Sequence, residues 1–486
     1  MRILLASSEV HPFSKTGGLA DMVGALGKAL ANAGHEVMIV TPLYRGIREK
    51  FPQLRREDWQ FNLQLGTNWI QGGLWSVALE RGLKVYFVEH PEFFDRAGIY
   101  HEKNVSYADN DVRFIFFSKC VVHLARYLPA RPELIHVHDW QAGLVPALLL
   151  QQKREGWGNP PPACLTIHNL AYQGVFPPAA FELTGLARDF FTPEGAEFFG
   201  QLNCLKAGIA FSDVVTTVSP RYAREITTEF FGCGLDGLLR KRRERLLGIL
   251  NGVDYGDWNT TGNPNLFKSY SVTRLAGKKI NKRELQKFVG LPVNESAPLF
   301  GTISRLAEQK GVDIQLGALA EMLSANIQFV LLGSGSPDYE RGYHTLAKRF
   351  PDKVAVRIGY DEKLAHRIEA ACDFYLMPSQ FEPCGLNQMY SLRYGAIPIV
   401  RATGGLDDSV IDFTQDPKRA TGIKFHEYSP HALAKAIRKA LAIYGQPELF
   451  RRFQRNAMKT DFSWEQTVDE YVRAYEMAGN YRVQPI

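Results

Sequence analysis

Short apolar runs alternate with longer amphipathic stretches along most of this chain. Ile3-Leu4-Leu5, Val37-Met38-Ile39-Val40, Val85-Tyr86-Phe87-Val88, Leu134-Ile135-His136-Val137, Leu165-Thr166-Ile167 and Val214-Val215-Thr216-Thr217-Val218 are short and rich in β-branched residues. Continuous hydrophobicity of this kind predicts strands of a parallel sheet buried on both faces, with the intervening stretches as crossover helices. In the first crossover, about 19–33, Leu19, Val23, Leu26 and Leu30 share one stripe and Gly34 supplies a stop. A second series begins at Leu299-Phe300-Gly301-Thr302-Ile303 and continues through 329–332, 354–356, 374–377 and 397–400. Beyond Pro430 the pattern turns helical, with Leu433, Ile437, Leu441 and Tyr444 in phase. A last helix is expected from Ser463, an N-cap candidate with Gln466 at the box position, to about Ala478.

The two series share an architecture without a repeat period, which predicts an α/β protein of two doubly wound domains. A chain of 486 residues also exceeds what one hydrophobic core usually organises. The stretch 251–298, rich in Asn, Gly, Lys and Thr, separates the series. The domains are therefore expected at 1–250 and 251–460. Two such domains are expected to face each other across a cleft, with ligands at the carboxyl ends of the strands.

Composition narrows the class. Hydrophobic residues make up 45% of the chain and charged residues 22%, a globular balance. With 57 Lys+Arg against 51 Asp+Glu the net charge is +6. The basic clusters at 241–245 and 451–455 are interrupted, and each reads as a solvated face or as a polyanion contact; no nucleic-acid partner is expected. No apolar stretch approaches a membrane span, and the N-terminal apolar run reads as a buried strand, not a secretion signal. The six cysteines show no metal-binding spacing, which fits a reducing, cytoplasmic setting and predicts no bound metal.

Candidate chemistry lies in the loops after strands. Ser14-Lys15-Thr16-Gly17-Gly18-Leu19-Ala20-Asp21 could bring backbone N–H groups and a lysine to a phosphate, or could be a tight turn with a surface lysine. It matches neither the dinucleotide fingerprint nor the Walker loop. Arg305 and Lys310, five residues apart, could stabilise a diphosphate leaving group without a metal, or form a solvated basic loop. Glu382, between Phe381 and Pro383, could act as a fixed carboxylate or cap a helix. Thr403-Gly404-Gly405-Leu406 offers a second glycine pair or a plain turn. His136-Val137-His138-Asp139-Trp140 and His168-Asn169 end two buried strands, where polar groups and an aromatic ring suit sugar hydroxyls. A metal site at His136 and His138 lacks a third ligand.

The order of these motifs is more specific than any one of them. Lys-Thr-Gly-Gly-Leu-Ala-Asp at 15–21, His-Asp-Trp at 138–140, Thr-Ile-His-Asn at 166–169, Leu-Asn-Gly-Val-Asp at 250–254, Ser-Arg-Leu-x-x-Gln-Lys-Gly at 304–311, Phe-Glu-Pro-Cys-Gly-Leu at 381–386 and Thr-Gly-Gly-Leu at 403–406 resemble the bacterial glycogen synthase family over essentially all of residues 1–480. The resemblance implies a retaining glycosyltransferase of two Rossmann-like domains facing across a cleft, the GT-B arrangement. A helix at about 461–480 would return to the first domain. The first domain would serve the acceptor, the second the nucleotide sugar.

By the same resemblance, Lys15 would contact the donor diphosphate, Arg305 and Lys310 would stabilise the leaving group, and Glu382 would hold the glucosyl hydroxyls. His168 would stand near the transferred sugar. Asp21, Asn251 and Tyr360 would surround nucleotide and glucose, with Tyr360 against the base. Gly18, Gly404 and Gly405, with Thr403 and Leu406 of the same motif, would offer close backbone approach. Asp139, Trp140, Asn169 and Tyr100 would line the acceptor side. Asn387, where relatives often carry Thr, departs from the pattern and puts local hydrogen bonding in question.

The implied reaction transfers an α-glucosyl unit from ADP-glucose to the non-reducing end of an α-1,4-glucan and releases ADP, with no cofactor. A UDP-glucose-dependent enzyme of the same fold, including sucrose- or trehalose-type enzymes, and a non-catalytic glucan-binding protein are the competing readings. A nicotinamide oxidoreductase would need fingerprint glycines that are missing here.

Overall fold

The computed structural model describes residues 1–103 and 105–483. They divide into two compact units: residues 1–252 with the C-terminal helix Trp464–Val483, and residues 253–463.

The first unit is built on a nine-stranded sheet among the described residues. In sheet order its strands begin at residues 246, 214, 163, 134, 2, 36, 83, 68 and 55. The first seven run parallel. Their centres are apolar on both faces: Ile3, Leu4, Leu5 and Ile39 are fully buried. The sheet departs from the all-parallel expectation at one edge, where the hairpin Arg55–Leu65 and Asn68–Glu80 adds two antiparallel strands. Its outer strand alternates Trp59, Phe61, Leu63 and Leu65 with polar residues, the pattern of a strand with one solvated face.

The crossover helix Gly18–Asn32 buries Val23, Leu26 and Leu30; Leu19, expected on the same stripe, is half-buried. The C-terminal helix packs against that crossover helix and against strands Ala163–Ile167 and Val214–Thr217. A buried polar chain joins it to the sheet. Tyr475 Oη lies 2.9 Å from His136 Nδ1, His136 Nε2 lies 2.6 Å from Thr166 Oγ1, and Thr166 Oγ1 lies 2.6 Å from Thr216 Oγ1. Burial pushes the His136 imidazole down to about 3, so it is neutral at physiological pH and each nitrogen has one partner. Tyr475→Phe strands a buried ring nitrogen and should lower unfolding free energy by about 1–2 kcal/mol. A denaturant titration with an unchanged midpoint would show that the helix does not depend on this bond.

The second unit carries a six-stranded, wholly parallel sheet among the described residues, its strands beginning at residues 354, 328, 299, 374, 397 and 423. Alternate residues feed two cores. Phe300, Phe329, Leu331 and Phe374 enter one, while Leu299, Val330, Leu332 and Tyr375 enter the other. Both faces are covered by helices, as doubly wound sheets require. No described helix is long and apolar enough to cross a membrane.

Candidate functional site

In the second unit, three neighbouring strands deliver three loops to one place. Strand Leu299–Leu306 leads into the tight turn Glu308–Lys310, strand Phe374–Met377 into the Glu382 loop, and strand Ile397–Arg401 into Thr403-Gly404-Gly405. The loops are tied together by backbone and amide hydrogen bonds. Gln380 N–H donates to the Gln309 carbonyl at 2.8 Å, Gln309 Nε2 to the Phe381 carbonyl at 3.1 Å, and Arg401 Nη1 to the Gln380 carbonyl at 3.0 Å. Asn387 Nδ2 donates to the Ile303 carbonyl at 2.7 Å and to Tyr375 Oη at 2.8 Å. This residue, the one departure from the family pattern, therefore still knits the strand ends together.

Glu382 sits at the junction, 6% exposed. Its Oε2 accepts from Lys310 Nζ at 2.6 Å and from Ser379 Oγ at 3.0 Å. A buried carboxylate is costly unless it is paired and hydrogen-bonded, and both conditions hold here. Among the described residues its Oε1 has no hydrogen-bond partner, which leaves an acceptor for a ligand hydroxyl. The helix-capping alternative fails, because the following helix begins at Asn387 with Leu386 at its N-cap.

The glycine pair has a structural role beside the one expected. Gly404 has φ +44°, and a Cβ there would collide with the Glu382 carbonyl oxygen. Gly405 N–H donates to the Glu382 and Pro383 carbonyls, both at 3.1 Å, so reaching a phosphate would cost it this tie. The pair buttresses the Glu382 loop. Gly404→Ala should displace the carboxylate by a fraction of an ångström to an ångström and lower kcat roughly 10–100-fold. Assay of a variant that still binds ADP checks this, and unchanged turnover would contradict it. Thr403 is buried, and its carbonyl accepts from Leu406 and Asp407 N–H. The Leu406 side chain is fully buried against Val400 and Val410, so the close approach expected of this residue falls to its main chain.

Arg305 stands apart from this junction. It is exposed, has no carboxylate partner among the described residues, and lines an open hollow of about 700 Å³ with Ser334, Gly335, Ser336 and Tyr339. Tyr360 follows the edge strand Val354–Ile358 and is 75% exposed; it is not among the residues lining that hollow.

The first unit also gathers its candidates at neighbouring strand ends, after Arg2–Ala6, Leu134–His138 and Ala163–Ile167. The helix at Gly18 opens with no side-chain cap, leaving its first N–H groups for other acceptors. Lys15 Nζ lies 2.8 Å from Asp21 Oδ1, both partly exposed. His168 Nε2 lies 3.1 Å from His138 Nδ1, and burial pushes His168 down to about 3 and His138 well below its ordinary value. Both rings are therefore neutral at physiological pH. His138 Nε2 is buried without a partner among the described residues; the ring is less costly with its single proton on Nδ1, donated to His168.

Asp139 adopts φ 54°, a conformation held by its N–H to the Thr166 carbonyl at 3.0 Å and by His168 N–H to its Oδ1 at 2.7 Å. Burial lifts its carboxyl to about 7 against the opposing pull of the His168 and Asn169 N–H groups. Trp140 packs edge-on against Phe114 at 5.0 Å, and Gly174 lies against its ring. Asn169 Oδ1 accepts from Ala171 N–H at 3.1 Å, which closes a local turn. Asn251 is buried, and its Oδ1 has no partner among the described residues. Tyr100 Oη bonds Glu9 and Ser8, each at 2.7 Å. Among the described residues no group of three or more His, Cys, Asp and Glu could hold a metal ion; the rings of His136 and His138 lie tilted against each other, 4.1 Å between centroids.

Sequence reasoning missed Glu9 and Ser379 as site residues. Glu9 carried a signal, being a lone acid three residues beyond the apolar strand Arg2–Ala6. Ser379 carried none before its carboxylate partner was placed.

The comparisons agree with this architecture. Residues 2–241 match the starch synthase catalytic domain, and residues 284–460 match glycosyl transferases group 1. A glycogen synthase from Anaeromyxobacter dehalogenans (strain 2CP-C) is 47% identical, covering 98% of this chain and 99% of its own length. One from Syntrophotalea carbinolica is 43% identical, with 98% and 99% covered. The catalytic domain of starch synthase IV from Arabidopsis thaliana, solved with ADP and acarbose, superposes with a TM-score of 0.89 at 35% identity, covering 99% of both chains. On full-length similarity at this level, the chain belongs to the glycogen synthase family of glycosyltransferases.

Proposed function

We propose that the protein transfers an α-glucosyl unit from ADP-glucose to the non-reducing end of an α-1,4-glucan, with retention, and releases ADP. The observation that supports the reading most is the Lys310–Glu382–Ser379 cluster, a paired, buried carboxylate held by three knitted loops at the carboxyl ends of parallel strands. ADP bound to the similar starch synthase domain supports the choice of nucleotide.

In this reading the second unit holds the donor. As the bond from glucosyl C1 to the β-phosphate oxygen breaks, negative charge grows on the diphosphate. Lys310, held by Glu382, and the exposed Arg305 then lower the barrier more than they tighten ground-state binding. Glu382 keeps Lys310 in place through Oε2 and accepts a glucosyl hydroxyl at Oε1. The acceptor O4 bonds to C1 from the same face, and its proton passes to the departing phosphate oxygen, so no enzyme carboxylate need bond to the sugar. The first unit serves the acceptor, with Asp139, Trp140 and Asn169 beside neutral His168, while Lys15 and Asp21 serve the nucleotide sugar. The protein works in the cytoplasm.

The test is nucleotide release by the purified chain from ADP-glucose, UDP-glucose and GDP-glucose, each with and without glycogen. Glycogen-dependent release from ADP-glucose is expected. Release from UDP-glucose alone would overturn the donor assignment, and glycogen binding without release from any donor would overturn the enzyme.

A further inference from the structure

Glu9 is 3% exposed, and its carboxylate has no Lys or Arg partner among the described residues. Three donors satisfy it instead. Thr16 gives both its backbone N–H, to Oε2, and its hydroxyl, to Oε1 at 2.6 Å, while Tyr100 Oη donates to Oε1 at 2.7 Å. An ion in this position is expensive to bury, and hydrogen bonds to a charged acceptor are the strong ones. Two of the three converge on one exposed residue, the neighbour of Lys15 and Gly17.

The other end of the chain of bonds is anchored in the interior. The Tyr100 carbonyl accepts from Asn110 Nδ2 at 3.0 Å, and Asn110 Oδ1 accepts from Arg113 Nη1 at 2.6 Å. Arg113 is fully buried and also holds the Phe93 carbonyl at 2.7 Å and the Ile99 carbonyl at 2.9 Å. The exposed lysine–glycine loop is thus wired, through Thr16, Glu9 and Tyr100, to the core of the helix Asn110–Tyr127.

We propose that Glu9 is a positioning residue for the nucleotide-sugar loop, clamping Thr16 so that Lys15 meets the donor in a fixed geometry, and that Tyr100 acts through Glu9 and not on the glucan. The inference rests on the proposed reaction and moves Tyr100 from the acceptor side to the donor side. Ordering this loop before the donor arrives removes an entropic cost from binding and transition-state stabilisation alike.

The test is a double-mutant cycle read in steady-state kinetics with ADP-glucose and glycogen varied separately. Glu9→Gln should lower kcat/KM for the donor about tenfold, with KM for glycogen changed less than about twofold. Placed on Lys15→Ala, the same substitution should cost less than about twofold, because the group it positions is gone. Tyr100→Phe should show the same donor-side pattern. Thr16→Val removes one hydroxyl from an exposed residue, keeps the fold, and should cost about threefold in the native background and nothing beside Lys15→Ala.

Additive losses in the cycle, or a rise in glycogen KM with donor kinetics unchanged, would overturn the positioning role. Absence of glucosyl transfer in the unsubstituted protein would instead overturn the reaction on which the inference rests, so the two failures are told apart by the first assay.

Discussion

Replacing Glu382 with alanine is expected to lower kcat by at least about 10³-fold while ADP affinity stays within about threefold, because in the proposed reaction its carboxylate accepts from a glucosyl hydroxyl and from Lys310 and does not touch the nucleotide. The loop should survive the change. Gln380 N–H to Gln309, Gln309 Nε2 to Phe381 and Gly405 N–H to Glu382 all involve main-chain atoms that alanine retains. Lys310, 19% exposed at its side chain, can turn its ammonium to water once its partner is gone. Titration calorimetry with ADP alongside an ADP-release assay separates the two quantities. A variant turning over within tenfold of the unsubstituted protein would remove Glu382 from the mechanism.

Lys310→Ala is expected to cost about 10²–10³-fold in kcat, the loss that follows removal of one preorganised donor from a developing anion. The ion pair adds a second consequence. The variant leaves a carboxylate, 6% exposed, with Ser379 as its only described side-chain donor, so unfolding free energy should fall by about 2–4 kcal/mol. The structure thus separates Lys310 from Arg305. Arg305→Ala removes an exposed cation without a carboxylate partner and should leave the denaturant midpoint nearly unchanged. Equal loss of stability in both variants would contradict this distinction.

Much of the scaffold was legible because doubly wound sheets write themselves locally. The apolar runs at 3–5, 37–40, 299–303 and 374–377 fall inside observed strands; candidate residues stand in the loops after 3–5 and 374–377, and at the end of and just after the strand Leu299–Leu306. The edge hairpin is not among the continuous apolar runs, although Trp59, Phe61, Leu63 and Leu65 alternate visibly, because such runs mark strands buried on both faces. Partnerships across the chain could not be read. Glu382 meets Lys310 across 72 residues, and His136 meets Tyr475 across 339. A motif gives the residue types and their order, but which carboxylate pairs with which cation is set by the strand order of the sheet.

Leu406 belongs to the same motif as Gly404 and Gly405, and its side chain fills the core beneath the loop. The glycines are needed, but the close approach that requires them is to the backbone of Glu382–Cys384.

The account rests on cations of the second unit acting on the departing diphosphate in the transition state. The most direct measurement is the single-turnover rate of Arg305→Ala at saturating ADP-glucose, set beside its equilibrium affinity for the same donor. The prediction is a rate lower by about 10²–10³-fold with donor Kd changed less than about tenfold. A Kd weakened by the full factor with the single-turnover rate intact would mean that Arg305 merely binds the donor, and would contradict the account.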